Sequence, residues 1–197
     1  MGQAADSPAI DWSLEQGQAL ARAVLNRQPY RLAHSLLAGQ QARRLVDTVA
    51  PMDGPLLVAA AVLHDIGYAP ELRQTGFHPI DGARYLLDTG APYRLAALVA
   101  HHSEARLLAA AAGLTPELAE FDREESRVSD ALTYADMTAG PTGTPMSVVD
   151  RLVDIAERHS DDDPALLAAR LERVPYLLAA AERVGHRLDH ASDPGSR

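Results

Sequence analysis

The sequence predicts an all-α fold, a single-domain helical bundle, and three observations carry that expectation. Ala and Leu dominate a hydrophobic fraction of 47%, aromatic residues supply only 5%, and long β-branched runs are absent, so helix formers outweigh strand formers along most of the chain. Apolar residues recur at helical rather than alternating spacing. A length of 197 residues suits one buried core better than two.

Taken in order, residues 1–10 lack periodicity and predict a flexible N-terminal tail, and residues 191–197, with Asp, Pro, Gly and Ser, predict a second tail. Residues 11–190 are expected to form the helical domain. Apolar spacing predicts helices over 14–26 and 30–49, the second opening just after Pro29. Pro51 and Pro55 separate these from residues 56–66, an almost wholly apolar stretch that reads as a helix buried on every side and capped by Gly67 in the left-handed conformation. Residues 76–79 read as a loop into a helix over 80–87, and Pro92 opens another that runs towards His101 and His102. A short helix over 116–121 follows, then a longer one over 123–137 with Val128, Ala131, Leu132 and Ala135 on one face. Gly and Pro break the pattern over 140–145, and helices over 147–158 and 164–184 complete the bundle. The acidic run Asp161-Asp162-Asp163, directly before Pro164, reads as a helix N-terminal signal rather than a calcium loop.

Composition excludes several classes of function. A formal net charge of -9 argues against an extended nucleic-acid interface, which needs a basic face, yet leaves room for a small phosphorylated substrate met by local cations and a bound metal. All 18 basic residues are Arg, so a Schiff-base lysine and a phosphate-binding P-loop lysine are both excluded. With no Cys, any metal must be held by His and carboxylates. The first ten residues lack the layout of a signal peptide, and no apolar run approaches the roughly 20 residues needed to span a bilayer, so no membrane association and a cytoplasmic location are expected.

Five of the eight His lie between His34 and His102, at predicted helix ends or on apolar faces. His and Asp together suit a divalent cation such as Fe, Mn, Co, Ni, Zn or Mg. The sharpest feature is His64-Asp65, at the end of the apolar run that begins at Val58. A carboxylate buried there is costly unless paired, and the helix C-terminus favours a cation.

The ordered set of His34 in Arg31-Leu-Ala-His34, the pair His64-Asp65 and Asp136 in Leu132-Thr-Tyr-Ala-Asp136 resembles the HD-domain superfamily, over a motif core of residues 30–138. The resemblance implies His34, His64, Asp65 and Asp136 as ligands of a divalent metal. His78 and His101 resemble the additional His of two-metal members, so one or two ions are expected, with Asp65 bridging if there are two. Asp130 competes with Asp136 but stands among charged residues, and His102 is an alternative to His101 or a contact for substrate. Arg31, one turn before His34, is placed either to hold an anionic group through paired hydrogen bonds or to lie solvated on the surface. The implied activity is hydrolysis of a nucleotide or other small phosphate ester by metal-activated water, with Asp65 and His64 as the catalytic pair. Two alternatives share these residues: a di-iron oxygenase of the HD type, and a non-catalytic metal- or nucleotide-binding module.

Overall fold

In the computed structural model, which describes Trp12 and residues 14–191, every regular element is helical; among the described residues there is no strand, only an isolated bridge between Ala139 and Pro145. The two expected tails fall outside the described residues, apart from Ala191. The α-helices are α1 (Leu14–Val24), α2 (Pro29–Arg44), α3 (Gly54–Leu63), α4 (His78–Asp88), α5 (Tyr93–His101), α6 (Ala105–Ala111), α7 (Thr115–Leu118), α8 (Arg127–Met137), α9 (Val148–Arg158) and α10 (Pro164–Ala191). No helix among the described residues is long and apolar enough to cross a membrane.

Helix α3 is the axis of the bundle. Its residues from Leu57 to Leu63 are all buried, as the unbroken apolar run predicts, and α1, α2, α5 and α8 pack around it. The α2–α3 contact is close because Gly39 lacks a side chain: a Cβ there would stand 2.3 Å from Val62 Cγ2. This approach sets His34, one turn earlier on α2, over the C-terminal end of α3.

Several boundaries differ from the sequence expectation. Helix α2 ends at Arg44, and a 3-10 turn, Val46–Thr48, replaces its last turn, with the Thr48 hydroxyl donating to the Leu45 carbonyl at 2.6 Å. Helix α3 ends at Leu63, and Gly67 is not a left-handed cap. It lies inside another 3-10 turn, Ile66–Tyr68, where a Cβ would stand 2.0 Å from the His78 carbonyl oxygen. Glycine is needed there for close approach, which presses the His64-Asp65 corner against the start of α4.

That start lies at His78, two residues before the expected 80. The buried Asp81 carboxylate accepts the N–H groups of Thr75 and Gly76 at 2.8 and 3.0 Å and so ties down the preceding loop, where Gly76 has a φ of +79°. Helix α6 was not anticipated, because its Ala- and Leu-rich run follows a sharp break at Ser103 and Glu104 that leaves no Gly or Pro in the sequence. Helix α8 starts four residues later than the expected 123, since Ser126 accepts the N–H groups of Val128 and Ser129 while its own N–H donates to the Ser129 hydroxyl. Helix α10 continues beyond 184 to Ala191, and Asp163 caps its first turn through the Ala165 N–H at 2.8 Å.

Replacing Gly39 by Ala forces a methyl against Val62, whose β-branched side chain is stiff in a helix. Gly39→Ala is expected to lower stability by about 1–3 kcal/mol. It would be read as a lower urea midpoint at unchanged m-value.

Candidate metal centre

Three helices and one turn deliver the charged interior. His34 comes from α2, His64 and Asp65 from the corner after α3, His78 from the first residue of α4, and Asp136 from the last turn of α8; His34, His64, Asp65 and Asp136 are all buried. The packing that places α3 at the centre is therefore what brings these side chains to one point.

His34 Nε2 lies 3.1 Å from His64 Nε2 and 3.1 Å from Asp136 Oδ1, and His64 Nε2 lies 3.6 Å from the same oxygen. Asp65 closes the group, with Oδ2 3.7 Å from His34 Nε2 and Oδ1 3.5 Å from His64 Nε2. His64 Nδ1 is 2.8 Å from the Ala61 carbonyl, a contact that places the neutral ring's proton on Nδ1 and leaves Nε2 as a lone pair aimed inward. His34 Nδ1 is turned towards the Gly140 carbonyl at 3.4 Å, with its Nε2 likewise inward. Lone pairs and carboxylates gathered this closely repel one another unless a positive centre lies among them. Ligand atoms about 2.1 Å from a shared ion and at right angles stand about 3.0 Å apart, so the observed spacing suits a divalent cation. His34, His64 and Asp136 form one group able to hold a metal ion, and His64, Asp65 and His102 another.

The second group departs from expectation at one position. His101 turns away from the centre, its Nε2 2.8 Å from the Phe121 carbonyl, and lines a separate cavity of about 500 Å³. His102 takes the inward place. The chain leaves helical geometry at His102 (φ -57°, ψ 147°), so its ring is redirected, Nδ1 donates to the Val99 carbonyl at 2.6 Å, and Nε2 lies 3.4 Å from His78 Nε2 and 3.9 Å from Asp65 Oδ1. His78 Nε2 is itself 3.2 Å from Asp65 Oδ1. Asp65 thus stands between the His34/His64/Asp136 group and the His78/His102 pair. Asp130, the competing acid, is bound instead by Arg183 and Arg187 of α10.

Burial alone would raise the pKa of Asp65, but the His64 charge, a hydrogen bond from His78 and the Arg31 charge outweigh it and hold the carboxyl well below its usual range. Asp136 is likewise held low, burial being outweighed by His64 and by the hydrogen bond from His34. Burial opposes a charged His64, yet Asp65 and Asp136 push its pKa up to about 9. His102 is driven down to about 3 by burial and then by the charges of His64 and His78. A proton on His64 therefore supplies positive charge in the metal-free protein.

Three further residues were not singled out in the sequence. The Ser103 hydroxyl donates to Asp136 Oδ2 at 2.5 Å from a strained backbone, since Ser103 and Glu104 both have left-handed φ values of 48° and 57°. The Tyr68 ring stacks on His78 at 3.9 Å, and the Arg31 guanidinium lies 3.8 Å from its centroid while donating to Asp65 Oδ2 at 3.0 Å. Burial pushes the Tyr68 phenol up to about 12. Arg173 of α10 is buried, bonds only weakly to the Ser103 carbonyl at 3.4 Å, and pairs with no carboxylate among the described residues. No single-residue signal in the sequence marks Ser103 or Arg173, because both depend on how α8 and α10 meet the turn after α5. Arg31, Tyr68, Arg173 and the Asp65/His78/His102/Asp136 cluster line one cavity of about 400 Å³.

An all-helical bundle with buried imidazoles and carboxylates spaced for a divalent cation defines a helical domain able to hold a metal ion. The HD domain family profile matches residues 31–162, two-thirds of the chain, and the chain belongs to the HD domain family. That family consists largely of metal-dependent phosphohydrolases, and its members bind divalent metals. No curated protein and no solved structure matches the chain.

Two outcomes are expected. Asp136→Asn and His34→Ala lose bound metal in elemental analysis of protein purified without chelator, whereas Asp130→Asn retains it and only lowers the denaturation midpoint. Because the folded His64 pKa lies above its ordinary value of about 6.5, its charge stabilises the metal-free protein below that pH, and this contribution is lost as pH rises towards about 9. A cation must displace the same proton, so its affinity rises across that window. Calorimetry of metal-free protein and metal titrations at several pH values would check both signs.

Proposed function

We propose that the protein is a metal-dependent phosphohydrolase acting on a small phosphate ester. The observation that carries this reading is Arg173: a buried guanidinium without a carboxylate partner, lining the same cavity as the His/Asp cluster. An unpaired buried cation is unfavourable by several kcal/mol, and an anionic substrate answers it. Burial, aided by the nearby Arg170 charge, lowers its pKa only to about 10, so it remains charged at neutral pH.

In this reading His34, His64, Asp65 and Asp136 hold one divalent cation, and His78 and His102 join Asp65 if a second is bound. A cation held there would supply an acidified water and a positive charge for a phosphoryl oxygen. Arg173 orients the phosphoryl group by charge-assisted hydrogen bonds, and Arg31, anchored to Asp65 and stacked on Tyr68, presents its remaining donors to the same cavity. Asp65, kept ionised by its cationic neighbours, acts as a charge holder and is a weak proton acceptor. The Tyr68 phenol stays protonated at working pH and is available as a neutral donor.

The test is elemental analysis of the purified protein followed by a screen of phosphate esters with the metal found. Arg173→Ala is expected to reduce kcat/KM on the order of 100-fold while leaving metal content unchanged. Oxygen uptake by iron-loaded protein without phosphate release would instead select the oxygenase reading. Full metal occupancy with no turnover on any ester would select the non-catalytic module.

A further inference from the structure

The wall of the cavity formed by α9 and α10 carries more positive charge than one phosphoryl group requires. Arg151 and Arg158 of α9 both bond to a single carboxylate, Asp154, with Nη1 of Arg151 at 2.6 Å and Nη2 of Arg158 at 2.7 Å. Arg170 of α10 bonds to Asp162 at 2.7 Å, and Arg173 has no carboxylate at all. Four guanidinium groups thus face two carboxylates.

Arg151 is the more telling of these residues. Its side chain is only 5% exposed, and its Nε is buried without a hydrogen-bond partner. Buried donors are nearly always satisfied, so a guanidinium that keeps one donor unpaired and shares its single carboxylate with a second guanidinium has capacity for a further acceptor. The Arg173 charge is disfavoured first by burial and then by Arg170 and Arg151, so the guanidinium groups crowd one another as well. Arg173 answers the phosphoryl group at the metal centre, and Arg151 remains, its one carboxylate shared with Arg158. The lining of the same cavity also includes Phe77, Leu108, Leu114 and Leu166, which suit an apolar part of a ligand.

We infer that the substrate is a small ester with two anionic groups: a phosphoryl group at the His/Asp centre and a second carboxylate or phosphate held by Arg151 with Arg158. The inference rests on the phosphohydrolase reading for the first group and on Arg151 alone for the second. A cavity of about 400 Å³ is at the small end of ligand sites, which agrees with a compact substrate. A nucleoside monophosphate, anionic at one end only, leaves the pair Arg151 and Arg158 with Asp154 as their one carboxylate. Arg170 and Arg173 lie beyond the stretch matched by the family profile, so half of this wall belongs to this chain's own C-terminal helix.

Two measurements test it. Orthophosphate is titrated by calorimetry into chelator-treated, metal-free Arg173→Ala protein, in which the first anion position is disabled; adding Arg151→Gln is expected to weaken the remaining binding by about tenfold. The metal-loaded wild type is then assayed on butyl phosphate, on the same ester ending in a carboxylate, and on the same ester ending in a second phosphate. A preference of about tenfold or more in kcat/KM for one charged tail over the neutral one is expected, and which tail wins identifies the second group. That preference is expected to collapse in Arg151→Gln. If the variant does not fold, Arg158→Gln takes its place, and the wild-type comparison needs no variant. Equal kcat/KM across the three esters, or orthophosphate binding untouched by the substitution, overturns the inference. No hydrolysis of any ester, with orthophosphate binding still dependent on Arg151, would overturn the phosphohydrolase reading and leave the anion site standing.

Discussion

Two carboxylates buried among imidazoles are the constraint on which this fold turns. Asp65 and Asp136 sit beside apolar helices that offer them no backbone donors, so their charge must be met by His64, by Arg31, by Ser103 or by a cation. Each of those partners comes from a different element, and α2, α5 and α8, which carry or adjoin most of them, pack against the apolar α3. The apolar axis and the charged centre are therefore parts of one arrangement: the first supplies the low-dielectric surroundings in which the second has a strong demand for positive charge.

The parts of the site legible in the sequence are those carried by local pattern. His64-Asp65 stood out because an acid ending an apolar run needs a partner, and His34 and Asp136 because their order and spacing matched a family pattern. The choice of Asp136 over Asp130 rested on the apolar face of α8, and the structure gives Asp130 a different task, clamping α8 to α10 through Arg183 and Arg187.

What stayed hidden was set by geometry that a residue string does not record. The exchange of His101 for His102 depends on the backbone leaving helical geometry at His102. Gly67 drew attention as a chain terminator, while its actual task is to admit the start of α4, which places His78 beside Asp65. Arg151 and Arg158 are two helical turns apart and Arg170 and Arg173 one, so each pair shares a helix face, but nothing local says that the two faces meet across a cavity. Long-range packing of α9 and α10 creates that wall.

Ser103 joins the two halves of the cavity through a single residue. Its hydroxyl grips Asp136 and its carbonyl meets Arg173, while its backbone is held in a conformation that ordinary side chains rarely adopt. Relaxing that turn would loosen a carboxylate and a guanidinium together, so one backbone conformation sets the position of both charges.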